Sequence, residues 1–253
     1  MSLSFAKPTT RTIIRTLIPI GTALLAFVVT GFLLLAGGFD PLEAYGLILQ
    51  GSVGGVREVG ETLVRTTSLL LTGLAVGFAF RCKVWNIGAE GQLYFGAIGA
   101  VVIALTVAGQ IPVFGVIIAI IFAMIFGAGW AAIAGVLKSR LGVNEIIVTV
   151  MLNFIAILFV DFLVHGALKA PGFEPQTALI PFTSQLPILI EGTRLHAGFL
   201  VAIAAAVLIY LILFKTKTGF SLRATGVNPK ASGYAGINVK RSILLTLLIS
   251  GAV

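Results

Sequence analysis

FRCKVWNIGAEGQ, residues 80–92, lies between two long apolar segments, and its reading decides the fold. It sets an amide, a carboxylate and a second amide (Asn86, Glu90, Gln92) among Gly88 and Gly91. Polar and ionisable groups between membrane segments are costly, and where they persist they usually serve a function. The glycines permit backbone turns and close approach. A break of this kind orients backbone groups and helix ends toward a passage, as in transporters built on interrupted helices. The alternative is a structural turn in which Glu90 pairs with Arg81 or Lys83. The pattern favours a structural and gating role for Asn86, Glu90 and Gln92 over direct contact with a transported solute.

Composition agrees with a membrane setting. The 253 residues are 58% hydrophobic and 10% charged, with a mean hydropathy of +1.10, whereas soluble domains carry roughly 25% charged residues. A soluble fold of this length has no way to cover so much apolar surface. The expected fold class is therefore all-α, a polytopic transmembrane helical bundle forming a single domain over 1–253. A net charge of +8 in a soluble protein suggests nucleic acid. Here the cations are sorted by topology, and no nucleic-acid partner is expected. The single cysteine, Cys82, excludes an internal disulfide framework and a cysteine-cluster metal site. His165 and His196 share no ligand spacing, so no metal site is expected.

Spans of about twenty apolar residues fall at 17–36, 63–80, 93–109, 113–136, 146–165 and 198–214. A seventh starts at 242 and stops at Val253 inside a hydrophobic run, which predicts a piece of a longer protein. The first run is too long for a signal-peptide core and lacks a small-residue cleavage pattern, so it is a retained span. Orientation follows the basic residues. With the N-terminus inside, the inner segments hold Lys7, Arg11, Arg15, Arg81, Lys83, Lys138, Arg140, Lys215, Lys217, Arg223, Lys230, Lys240 and Arg241, thirteen of the 17 cations. Only Arg57, Arg65, Lys169 and Arg194 lie outside.

The connecting segments carry their own signals. Residues 37–62, with four acids and several glycines, read as an interfacial helix or external gate element rather than a crossing. The external loop 166–197 holds Pro171, Pro175, Pro181 and Pro187, hence an irregular and partly extended cap, either inert or a docking surface. In the inner loop 215–241, residues 219–225 form a short helix ended by Gly226. Asn228 then suits an N-cap, Pro229 the first helical position and Gly236 the C-terminal cap. A short basic helix of this kind gains from docking in a partner's groove or from lying on anionic lipid.

The fifth span opens with Asn144 as a cap and Glu145 in its first turn, where the macrodipole favours a negative charge. Glu145, Thr149 and Asn153 are spaced i, i+4, i+8 and share one helical face. Such a stripe either lines a water-filled path or joins helices through hydrogen bonds. Gly127, Ala131 and Gly135 form a small-residue helix-packing face. The chain has no nucleophile elbow, metalloprotease pair or phosphate-binding glycine-lysine loop, so no catalytic residues are expected. Any ATP used must be bound by another chain.

With these residues in view, the chain resembles the permease subunits of bacterial ABC importers of the branched-chain amino acid and simple-sugar type, most closely the nucleoside (guanosine-type) permeases. The resemblance rests on Asp40-Pro41-Leu42-Glu43-Ala44-Tyr45, on Thr72-Gly73-Leu74-Ala75 leading into 80–92, and on Asn144-Glu145-Ile146-Ile147 with Thr149, Met151, Leu152 and Asn153. It also rests on Gly226, Asn228, Pro229, Ala231, Ala235, Gly236 and Ile237. Cys82 and Lys83 stand where small residues are usual in the family.

The resemblance implies a type II-like importer permease, lacking here about three C-terminal spans, in the bacterial inner membrane with a cytoplasmic N-terminus. It implies an ATP-driven importer of a nucleoside or simple sugar working by alternating access. Asn86, Glu90, Gln92, Asn144, Glu145, Thr149 and Asn153 would form its pathway or gate. Arg223, Gly226, Asn228, Pro229, Ala231, Gly236 and Ile237 would form the segment that couples to ATPase subunits. The implied partners are those ATPases with their ATP and magnesium, a second permease (itself or a paralogue), and an external binding protein or lipoprotein. No cofactor is expected on this chain itself. The alternative is an ion-coupled secondary transporter of a small polar solute.

Overall fold

The computed structural model describes residues 10–111 and 114–253. Lys7 and Val113, and the side chains of Arg11 and Arg15, lie outside the described residues. Ten α-helices follow in order: α1 Thr10–Ala36, α2 Pro41–Val53, α3 Val56–Arg81, α4 Ala89–Thr106, α5 Gly115–Val136, α6 Glu145–His165, α7 Gly198–Lys215, α8 Lys217–Val227, α9 Pro229–Tyr234 and α10 Val239–Ala252. Among the described residues, six helical stretches are long and apolar enough to cross a membrane: Leu17–Ala36, Val56–Arg81, Ala89–Thr106, Gly115–Leu141, Glu145–His165 and Gly198–Lys215. The chain is a multi-pass membrane protein of all-α class.

The described residues up to Thr62 and those from Leu63 onward form separate compact units, the boundary falling inside α3. Within the first, Asp40 caps α2 by accepting from Leu42 N at 2.8 Å, and Pro41 occupies the first turn. Gly38, at φ +82°, makes the turn that sends α2 back along α1. Tyr45 donates to Phe27 O at 2.6 Å, and the two rings pack edge to face at 5.6 Å. The expected element at 37–62 is thus two pieces, since α3 already begins at Val56.

The second unit is held together by close helix approach rather than large side chains. Along α4, Gly91, Gly96 and Gly99 are buried, as are Gly127, Ala131, Ala134 and Gly135 along α5. A methyl group at Gly127 would collide with Gly251 O of α10. Without water to drive apolar association in a bilayer, such small-residue contacts supply the van der Waals attraction that joins helices. Val84, Ala131, Ala134, Leu152 and Leu247 form one buried cluster, and Phe78, Cys82, Ile209, Leu213 and Leu222 another. Outward-facing Ile117, Ile121, Ile125, Phe154, Leu158, Phe162 and Leu208 remain exposed, as lipid-facing side chains should.

Several boundaries differ from expectation. α4 runs over Ala89–Thr106 instead of 93–109, because Glu90 and the small residues beside it suit a first helical turn. The tail expected to stay helical closes instead as a 3₁₀ turn at Ala108–Gln110. α5 continues through a π-helical turn, Leu137–Leu141, and stops at Gly142, φ +69°. In the loop after α6 the chain is irregular apart from a turn at Phe182–Ser184 and a bridge between Ile188 and His196. Thr183 pins it by donating to Gly109 O at 2.8 Å.

Candidate functional site

The second unit's distinctive region is the non-helical stretch between α3 and α4. α3 ends with Val84 N donating to Ala79 O at 3.0 Å and Lys83 N to Phe80 O at 3.0 Å. Lys83 takes φ 56°, the left-handed position that usually falls to glycine at a helix C-terminus. The chain then runs extended. Burial alternates residue by residue: Cys82, Val84, Asn86 and Gly88 are buried, while Lys83, Trp85 and Ile87 are exposed. That is the period of a β-strand, yet no neighbouring strand pairs with it among the described residues.

Its backbone bonds instead to one face of α6. Trp85 N donates to Glu145 Oε1 at 3.2 Å and Ile87 N to Thr149 Oγ1 at 3.3 Å. Asn153 Nδ2 donates to Ile87 O at 2.9 Å, and Asn153 Oδ1 accepts from Gly91 N at 2.9 Å. At about 1.5 Å per residue the eight steps from Glu145 to Asn153 span about 12 Å. The stripe is a rail along which the extended segment lies. Non-helical backbone at membrane depth survives only where protein groups satisfy it. Here the i, i+4, i+8 side chains do so. Asn144 holds the start of the rail, accepting from Ile146 N at 3.0 Å.

Asn86 faces the other way and is fully buried. Its Nδ2 donates to Gln92 Oε1 at 3.0 Å and to Ser250 Oγ at 2.8 Å. Its Oδ1 accepts from Gly88 N at 2.9 Å and Gln92 Nε2 at 3.0 Å. Ser250 Oγ passes the connection to Ala75 O of α3 at 2.7 Å. The two amides therefore clasp each other, tying the extended segment and α4 to α10 and α3. A fully satisfied buried network of this kind rigidifies its surroundings.

The two inner acids part company. Glu145 is buried and pairs with Lys138 of the π-helical turn. Glu90 is exposed in the first turn of α4. Among the described residues it forms no ion pair with Arg81 or Lys83, so the alternative of a salt-bridged turn is not what shapes the segment. Glu90 stands apart from the Asn86–Gln92 clasp.

The segment after α7 contains two helices. Thr216 caps α8 by accepting from Gly219 N at 3.0 Å. Asn228 caps α9 by accepting from Ala231 N at 3.1 Å, with Pro229 in its first turn. Gly236, at φ +81°, follows α9, and Ile237 N reaches back to Ser232 O at 3.0 Å. Asn228, Pro229, Ala231 and Tyr234 are exposed, whereas Leu222, Thr225 and Ser232 are buried. Gly226 does not end the first helix as expected; it lies inside α8. Its missing side chain serves close packing instead, since a Cβ there would stand 2.6 Å from Cys82 C and O. Arg223 stacks over Phe214, its guanidinium carbon 5.0 Å from the ring centroid.

Ser242, Thr246 and Ser250 of α10 are all buried and went unremarked in the sequence. Their signal was the same i, i+4, i+8 spacing that marks the α6 rail. Trp130 was also missed; it stacks on Phe95 with centroids 3.5 Å apart. Among the described residues no group of three or more His, Cys, Asp and Glu side chains is placed to hold a metal ion.

Comparison with known proteins gives a consistent picture. Residues 59–253 match the family described as the permease component of the branched-chain amino acid transport system. The chain is 36% identical over 242 residues to the guanosine ABC transporter permease protein NupP of Bacillus subtilis, covering 93% of this chain and 68% of that protein. It is 32% identical over 247 residues to the nucleoside ABC transporter permease protein NupB of Lactococcus lactis, covering 94% and 68%. It is 33% identical over 249 residues to the glucose ABC transporter permease protein TsgB13 of Haloferax volcanii, covering 92% and 64%. No solved structure matches the chain.

Proposed function

Since the chain belongs to the family of branched-chain amino acid transport permease components, a family of transport subunits rather than enzymes, we propose that it is the membrane subunit of an ATP-driven ABC importer for a nucleoside or simple sugar. The observation that carries the proposal furthest is the non-helical link between two spans (82–88), held against Glu145, Thr149 and Asn153. In transporters, irregular backbone and helix ends of this kind are turned toward the solute's path. The cargo follows the relatives, two of which are named for nucleosides and one for glucose.

In this reading the N-terminus and the α8–α9 segment face the cytoplasm of a bacterial cell, as the distribution of Lys and Arg requires. The exposed Asn228, Pro229 and Ala231 edge with half-buried Ile237, and with Arg223 and Gly226 behind it, receives ATPase subunits that bind ATP and magnesium. A second permease, a copy or a paralogue, completes the path. The pinned loop 166–197 faces an external binding protein that delivers solute. Closure of the ATPases on ATP displaces α8 and α9 and exchanges outward for inward access. The rail of α6 keeps the unwound segment satisfied throughout, so that it moves as a unit. Asn86 and Gln92 set its shape, and exposed Glu90 stands at the mouth of α4.

The test is co-purification of the complete gene product with its neighbouring proteins, followed by ATPase assays in lipid vesicles. An ATPase that co-purifies and accelerates with nucleoside-loaded binding protein supports the reading and names the cargo; acceleration by a sugar selects the other cargo class. A chain that purifies alone and moves solute on an ion gradient overturns it.

A further inference from the structure

The most suggestive contact outside the α6 rail joins α8 to the start of the extended segment. Gly226 sits so close to Cys82 that a Cβ would approach Cys82 C, O and Cα at 2.6, 2.6 and 3.1 Å. One turn earlier, Leu222 is buried in the same cluster as Phe78 and Cys82. Burial pushes the Cys82 thiol's pKa up, against smaller opposing influences from Thr246 and then from Arg223 nearby. Cys82 itself is 3% exposed. Val84, Asn86 and Gly88 follow on the same buried face, and Asn86 holds the amide clasp. A displacement of α8 therefore meets backbone, not a compliant side chain. Close-packed contacts of this kind transmit displacement instead of absorbing it.

Two further groups mark this region. Arg223 Nε and Thr225 Oγ1, both on α8, are buried with no hydrogen-bond partner. Buried polar groups are satisfied in the great majority of cases, and each exception calls for a reason. Two within a single turn of one helix are consistent with a helix that has a second resting position.

We infer that α8 drives the extended segment directly through the Gly226–Cys82 backbone contact, so that the docking segment and the break at 82–88 form one mechanical unit. This rests on the importer reading above. The movement of α8 is passed to residues 82–88 without first tilting a whole membrane helix. Only glycine at 226 permits the seat, and the Cys82 side chain beneath it changes exposure as α8 shifts. Cys82 is the chain's sole cysteine, which makes it a built-in reporter. The thiol is not required for coupling; the backbone beneath α8 is.

The experiment uses the complete transporter, with its ATPases and binding protein, in lipid vesicles. Cys82 modification by N-ethylmaleimide is followed by peptide mass spectrometry, once without nucleotide and once trapped with a non-hydrolysable ATP analogue. The labelling rate is expected to differ at least tenfold between the two states. Gly226→Ala should lower solute moved per ATP hydrolysed about tenfold or more in a complex that still co-purifies. Cys82→Ser keeps the backbone and should transport normally. Gly129→Ala in α5, where a Cβ meets nothing within 4 Å, should also be silent. Equal labelling in both states, together with full coupling in Gly226→Ala, overturns the inference. That result in a complex that still assembles and transports leaves the importer reading standing, whereas failure to assemble with an ATPase would count against the importer reading itself.

Discussion

Replacing Asn86 by leucine, of similar volume, is the most incisive perturbation of the extended segment. The Asn86 side chain makes four hydrogen bonds. Leucine removes them all, stranding the buried Gly88 N and the side-chain amide of Gln92, which is 5% exposed. Ser250 is spared, because it keeps its bond to Ala75 O. Two stranded buried groups at about 1–3 kcal/mol each give a loss of about 2–6 kcal/mol. Four bonds at the roughly 0.6 kcal/mol typical of membrane interiors give about 2.4 kcal/mol. Both routes exceed about 2 kcal/mol. The assay is unfolding of the purified complete permease in mixed micelles titrated with dodecyl sulfate. A double-mutant cycle with Gln92→Leu completes it: because the amides clasp each other, the double variant should cost at least about 1 kcal/mol less than the sum of the singles. A loss under about 0.6 kcal/mol for Asn86→Leu, or strict additivity with Gln92→Leu, would refute the clasp as the element that shapes residues 82–92.

Three further outcomes are expected. Asn153→Leu leaves Ile87 O and Gly91 N without partners, so solute uptake in vesicles should fall about tenfold or more at unchanged complex yield; uptake at the parental rate would reduce the rail to helix packing. Glu145→Gln keeps an acceptor for Trp85 N but strands the Lys138 charge, at a cost of about 1–3 kcal/mol. Adding Lys138→Met should recover most of that loss in the same unfolding assay, and no recovery would show that the ion pair is not what is lost. Asn228→Ala removes the α9 cap, worth about 1 kcal/mol. It should reduce stimulation of the ATPase by loaded binding protein while membrane insertion is retained, and unchanged stimulation would dismiss α9 from coupling.

What could be read from the chain alone followed from local chemistry. Apolar runs of membrane length need no tertiary information, because a bilayer core of about 30 Å imposes the same requirement on every helix. The Asn144 and Asn228 caps, the turn at Gly236 and the packing face of Gly127, Ala131 and Gly135 were legible for the same reason, each depending on neighbours a few residues away. The i, i+4, i+8 spacing placed Glu145, Thr149 and Asn153 on one face, and family resemblance pointed to transport.

What faces that stripe was decided only in three dimensions. Residues 82–88 lie about sixty positions earlier in the chain, and no sequence pattern pairs a helix's side chains with a remote extended backbone. The same holds for Asn86 and Ser250, 164 residues apart, and for Gly226, whose place in the chain suggested a helix end until its proximity to Cys82 gave it another role. Glu90 and Glu145 were both expected at the pathway or gate, yet one is exposed and the other is buried against Lys138. Burial and long-range hydrogen bonding depend on how helices meet, and in a bilayer that is set by close packing between distant segments. Local composition determined that the chain crosses a membrane and where it breaks; packing alone determined which polar groups hold that break in place.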